Sequence, residues 1–119
     1  MGVARYEDLR VWQRARSFCS EIGGVRTTAR LKSDYALSDQ PNAASLSTVA
    51  NIAEGFARKG DKEFAYFLRV AAASNGEARA LLYVARDRGY LAQAELDRLV
   101  ETTEAIKAMI QALQRYLRS

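Results

Sequence analysis

Few residues in this chain have both the type and the spacing for chemistry. Asn51 and Glu54 stand one helical turn apart beside Gly55, and Ser74 and Glu77 repeat that relation among small residues. A pair formed by Glu54 and Glu77 would be the natural start for acid–base or hydrolytic metal chemistry. Metal sites inside helical bundles, however, combine several carboxylates with His. The sequence has no His and hence no Glu-x-x-His run. Imidazole catalysis and His-ligated metals are excluded on that count. Cys19 is the single cysteine, so neither an internal disulfide nor a cysteine zinc site can form. The expectation is a chain with no catalytic residue, no metal and no cofactor, and not an enzyme. Asn51 and Glu54 are then read as groups that satisfy the backbone where the second helix turns into the third. Ser74 and Glu77 are read as an internal or inter-subunit polar contact, because Glu is rarely buried without a partner.

The other chemistry on offer is phosphate recognition. Lys and Arg together number 18 against 14 Asp and Glu, a formal charge of +4. Most of the positive side is Arg, whose fork suits phosphate and carboxylate alike. The best nucleic-acid-binding candidates are Arg5, Arg10 and Arg14 near the first helix, with Arg58, Lys59 and Lys62 between the second and third. Arg10 and Arg14 are four apart and point the same way. Asp61 and Glu63 dilute the second group. No aromatic RNA-recognition motif, glycine-rich phosphate loop or zinc finger is present. Any binding should therefore follow backbone and shape rather than base edges. Trp12 is read as a core anchor, not as a stacking platform.

These residues need a frame. With 119 residues the chain fits one domain, residues 1–119, and 49% apolar residues suffice for a core. One Pro and seven Gly beside abundant Ala, Leu and Arg point to helix. The first segment runs from Tyr6 to Ile22, with Leu9, Trp12, Ala15, Phe18, Cys19 and Ile22 on one side, and is expected to end at Gly23-Gly24. A connection, with room for one helical turn, leads to Ser38. There a second helix should start, capped by Ser38 and with Pro41 in its first turn. Its inward stripe is expected to be Leu46, Val49, Ala50, Ala53 and Phe56, with Gly55 and Gly60 at the exit. The third helix, Asp61 to Arg88, carries Phe64, Leu68, Ala71, Asn75, Ala78, Leu82 and Ala85, and Gly89 stops it. The fourth, Ala92 to Leu117, carries Leu96, Leu99, Thr103, Ile106, Ile110, Leu113 and Leu117. Alternation by three and four predicts near-parallel packing, as in an all-α, antiparallel, up-and-down four-helix bundle. No stretch approaches the ~20 apolar residues of a membrane span, and no apolar signal core opens the sequence. The expected setting is cytoplasmic, without membrane contact.

The far sides of the last two helices are also apolar. Tyr66, Val70, Ala73, Ala80 and Val84 oppose the core stripe of the third helix. Ala105, Met109, Ala112 and Tyr116 do so on the fourth. A helix apolar on two sides usually has partners on both. Tyr66, Val70, Ala73, Val84, Met109, Ala112 and Tyr116 are therefore the expected interface of a homo-oligomer.

The run Asn51-Ile52-Ala53-Glu54-Gly55-Phe56-Ala57-Arg58 is distinctive. So is its setting: Leu9-Arg10-Val11-Trp12-Gln13-Arg14-Ala15 upstream, Leu37-Ser38-Asp39-Gln40 before it, and Glu63-Phe64, Phe67-Leu68, Ala71, Ser74, Glu77 and Gly89-Tyr90-Leu91 after. Together these resemble the four-helix bundle family encoded in intervening sequences of bacterial 23S ribosomal RNA genes. The accessory proteins of diversity-generating retroelements look like relatives. The resemblance implies a ring-like homopentamer without enzymatic activity, an adaptor or accessory protein. The retroelement relatives bind nucleic acid through a basic surface and partner a reverse transcriptase. One departure stands out. Where the family usually has an apolar residue and one or two Arg, this chain has Gln40-Pro41-Asn42-Ala43-Ala44. The alternative reading is a scaffold or adaptor for proteins that never touches RNA or DNA.

Overall fold

The computed structural model describes residues 2–119, without the side chain of Ala29. It is all-α among those residues. A 3₁₀ turn at Tyr6–Asp8 leads into α1 (Arg10–Arg26), followed by the short α2 (Ala29–Ser33), α3 (Tyr35–Ala57), α4 (Asp61–Asp87) and α5 (Gln93–Arg118). The four long helices lie side by side in a body of 45 × 20 × 19 Å. α3 packs on α1 and α4, and α5 packs on α4 and α1. Cross-links fix the directions as alternately up and down. Cys19 meets Ser45, Ser47 meets Ser74, Asn75 meets Thr103, and Arg98 meets Glu21.

α4 and α5 follow their sequence pattern closely. All seven expected core positions of α4, Phe64 through Ala85, are buried. On α5, Leu96, Leu99, Thr103, Ile106 and Ile110 are buried, while Leu113 and Leu117 are half-buried near the end. Burying one such Leu or Ile side chain stabilises the fold by roughly 1.5–3 kcal/mol. Gly89 adopts φ 79°, a left-handed conformation that ends α4 at low cost.

α1 departs from expectation. It begins at Arg10 rather than Tyr6 and continues through both glycines to Arg26. Ile22 and Val25 lie three apart on the core side and are both buried. Their burial outweighs a glycine penalty of about 1 kcal/mol each. The buried line is Val11, Ala15, Phe18, Ile22 and Val25. Trp12 and Cys19 sit half-buried on its flanks. Trp12 packs against the core from its edge. Its ring tilts against Tyr6, 5.2 Å between centroids, and Arg16 lies 5.5 Å over it.

α3 differs most. Its N-cap is Asp34, not Ser38, and the carboxylate accepts the Leu37 N–H. Ser38 is buried within the helix, where its Oγ accepts from Arg26 Nε at 3.2 Å. Pro41 therefore stands inside the helix rather than in its first turn. An interior Pro costs about 3 kcal/mol. Leu37, Pro41 and Ala44, all buried on one side, offset that cost. The inward face is also rotated from the expected stripe. Leu46 is 50% exposed, Ala50 is exposed, and Val49, Ala53 and Phe56 are half-buried. The buried line runs instead through Ser45, Thr48, Ile52 and Gly55. Ser45 and Thr48 can go inside because their hydroxyls donate to the Asn42 and Ala44 carbonyls of their own helix. Gly55 does not end the helix. It lets α4 come close, since a Cβ there would sit 2.7 Å from Phe67 Cβ.

Candidate functional site

The N-terminal segment, the α3–α4 turn and the C-terminus of α5 share one end of the bundle. Val3 and Ala4 line a recess of about 420 Å³ with Gly55, Phe56, Lys59, Gly60, Asp61 and Phe64. α5 runs antiparallel to α4, so Arg115 and Arg118 arrive at this end too. The turn itself is built by Lys59 at φ 63° and by Gly60, the extended N-cap of α4.

The expected cations fall into two groups. Arg5 is exposed but bonded to Glu7 at 3.0 Å. Glu7 in turn titrates below the usual carboxylate range, chiefly through its own backbone N–H and then through Arg5. Arg58 bridges Glu54 at 2.8 Å and Glu63 at 3.7 Å, and its guanidinium lies 5.2 Å over the Phe67 ring. Both arginines already have carboxylate partners. Arg10, Arg14, Lys59 and Lys62 are exposed and have no ion pair among the described residues. Arg10 and Arg14 rim a shallow groove with Gln13, Ser17 and Met109. Its continuation is lined by Leu9, Arg10, Val11, Met109, Ala112 and Leu113. Sequence reasoning passed over Arg115 and Arg118. Their place in the last turn of α5, where cations suit the helix dipole, was the available signal.

The polar candidates do not converge. Asn51 donates to the Ser47 carbonyl at 2.8 Å and to Ser47 Oγ at 3.1 Å, so it serves the helix interior rather than its end. Glu54 accepts from Arg58 Nε at 3.0 Å, one helical turn on at the end of α3. Ser74 Oγ lies 2.8 Å from Ser47 Oγ, linking α4 to α3. Glu77 is exposed and has neither an ion pair nor a side-chain hydrogen bond among the described residues. Because α3 and α4 are antiparallel about the Ser47–Ser74 contact, Glu54 and Glu77 are separated along the bundle by roughly 15 Å. That spacing gives no shared acid–base or metal site. No cluster of three or more His, Cys, Asp or Glu that could hold a metal ion exists among the described residues. Nor, among them, is any helix long and apolar enough to cross a membrane.

Asn75 is 3% exposed and crosses to α5, donating to the Thr103 carbonyl at 2.9 Å, while its Oδ1 has no protein partner. At the opposite end of the bundle lies a polar latch that sequence spacing could not reveal. Asp34 Oδ2 accepts from Arg88 and from the Tyr90 hydroxyl, each at 2.9 Å. Arg30 donates to the Gly89 carbonyl at 3.2 Å and lies 5.8 Å over the Tyr90 ring. The phenol first, and Arg88 second, hold the Asp34 carboxyl below its ordinary pKa.

The outer apolar positions are uncovered in the single chain. Tyr66 is 50% exposed, Val84 38% and Tyr116 53%. Ala73 and Ala112 are exposed, and Val70 and Met109 half-buried. The two stripes lie on different flanks. Val70 is one turn from Ser74 and so borders α3, whereas Met109 and Ala112 border α1. Between them lies a polar cleft lined by Ala72, Asn75, Gly76, Arg79, Lys107, Gln111 and Gln114.

Comparison with curated proteins gives no match. The family model described as 23S rRNA-intervening sequence protein matches residues 7–112. That span takes in all four long helices save the last residues of α5, and the chain belongs to this family.

Proposed function

We propose that the chain is a non-catalytic, self-associating helical bundle that binds RNA or DNA phosphates as an adaptor or accessory protein, with five copies in a ring as the resemblance implies. The observation that carries this reading is the pair of uncovered apolar stripes on different flanks of one subunit. A closed ring needs two unlike, complementary patches, because its contacts run head to tail. Repetition then supplies what one subunit lacks. A single end offers few free cations, mainly Lys59 and Lys62, with Arg115 and Arg118 beside them and Arg10 and Arg14 on the flank. Several copies on one nucleic acid would multiply weak contacts through avidity. A reverse transcriptase or another protein is a further candidate partner.

Titration with a structured RNA and with duplex DNA at two salt concentrations tests the phosphate reading. Affinity should fall by roughly 0.7–0.9 log units per log unit of salt for each phosphate neutralised. Lys59→Glu with Lys62→Glu should weaken binding to both nucleic acids. Absence of binding at low salt would leave the protein scaffold as the better reading. Two observations favour that rival: the uncharged run Gln40 to Ala44, and the engagement of Arg5 and Arg58 by carboxylates. Self-association is tested by light scattering. A mass of 13.2 kDa at micromolar concentration would refute it. Val70→Glu should reduce the mass while preserving helicity.

A further inference from the structure

The outer positions of α4 form a longer register than their apolar members alone suggest. Tyr66, Val70, Ala73, Glu77, Ala80 and Val84 alternate by four and three along most of the helix. This is a second heptad seam, opposite the core seam, and Glu77 is its one ionisable carboxylate. A partner laid along the seam would cover Glu77. Covering a carboxylate without a compensating charge is strongly unfavourable. The partner must therefore bring apolar surface with cations at its edge. The groove between α1 and α5 has that make-up: Leu9, Met109, Ala112 and Leu113 line it, and Arg10 and Arg14 stand at its rim with no acidic partner among the described residues.

We propose that the α4 seam of one copy seats in the α1–α5 groove of a second copy, with Glu77 against Arg10 and Arg14. The inference rests on the self-association reading and gives it a register. A lone charged residue in an apolar seam fixes alignment because every shifted alignment strands it. The contact is head to tail, since seam and groove occupy different flanks. It also removes Arg10 and Arg14 from the phosphate-binding set, leaving the lysines of the α3–α4 turn and the arginines ending α5.

Charge exchange tests the pairing, read as mass by light scattering or sedimentation with helicity checked in parallel. Glu77→Arg should weaken association by ~30-fold or more, as should Arg10→Glu combined with Arg14→Glu. The triple variant carrying all three reversals should assemble again. Should Glu77→Arg lose helicity, Glu77→Gln and the double arginine variant supply the same readout without that defect. Wild-type-like assembly of the Glu77 and arginine variants, or no recovery in the triple variant, would overturn the pairing while leaving self-association in place. A wild-type chain that remains at the single-chain mass would overturn both.

Discussion

α3 and α4 lie against each other along nearly their whole length, yet they achieve burial by different means. α4 presents large side chains inward, Phe64, Leu68 and Leu82, at regular spacing. α3 buries Leu37 and Ile52 but otherwise presents small residues such as Ser45, Thr48 and Gly55, and leaves Leu46 half in solvent. At Gly55 the missing side chain leaves room that Phe64 and Phe67 of α4 occupy. Interior density depends on such complementarity rather than on the hydrophobicity of either face alone. Small hydroxyl residues qualify for the inside because each satisfies itself on a carbonyl of its own helix.

The sharpest way to break this contrast is to truncate the same residue type on each helix. Leu68→Ala on α4 removes a fully buried side chain and should cost about 2–5 kcal/mol. Leu46→Ala on α3 should stay within ~0.5 kcal/mol, because that side chain is 50% exposed. Urea denaturation measures both. Near-equal losses would mean that Leu46 is covered, and an assembled protein is where that would arise. Between these extremes stands Gly55→Val. Its new Cβ would meet Phe67 Cβ at 2.7 Å and Phe64 Cδ1 at 2.9 Å. An overpacking loss of about 1–3 kcal/mol follows, read as a lower midpoint in the same titration.

A smaller effect belongs to the far end of the bundle. The Asp34 carboxyl is held below its ordinary pKa by Tyr90 and Arg88. Its stabilising contribution is thus complete above the unfolded carboxylate value of about 3.9. It is lost as pH falls through the lower folded value. Thermal melts of wild type and Asp34→Asn between neutral and acid pH should converge at the acid end. A gap that stayed constant with pH would detach the latch from ionisation.

The same contrast explains how much could be read beforehand. The repeats of α4 and α5 were legible because large apolar residues recur at three and four, and the family segment around Asn51–Arg58 was legible as a string. α3 is harder to read, because its greasiest side, with Leu46 and Ala50, is not the buried side, with Ser45 and Thr48. Its start lies ahead of Ser38 because Asp34 caps it first, which puts Pro41 past the first turn. α1 outran its glycines because Val25, beyond them, still had a core to reach. The Asp34 latch joins residues 54 and 56 positions apart, a distance at which local spacing says nothing. The Arg58–Glu54 bridge, at i and i+4, was legible in principle.

Cys19 gives the fold a built-in reporter. Its Sγ donates to the Ser45 carbonyl at 3.2 Å, across the seam between α1 and α3, and burial pushes the thiol's pKa up. An alkylating reagent attacks the ionised sulfur, so this half-buried thiol should react more slowly than a free cysteine, and faster whenever these two helices part. With one cysteine in the sequence, a change in labelling rate would report on that seam alone, without any engineered probe.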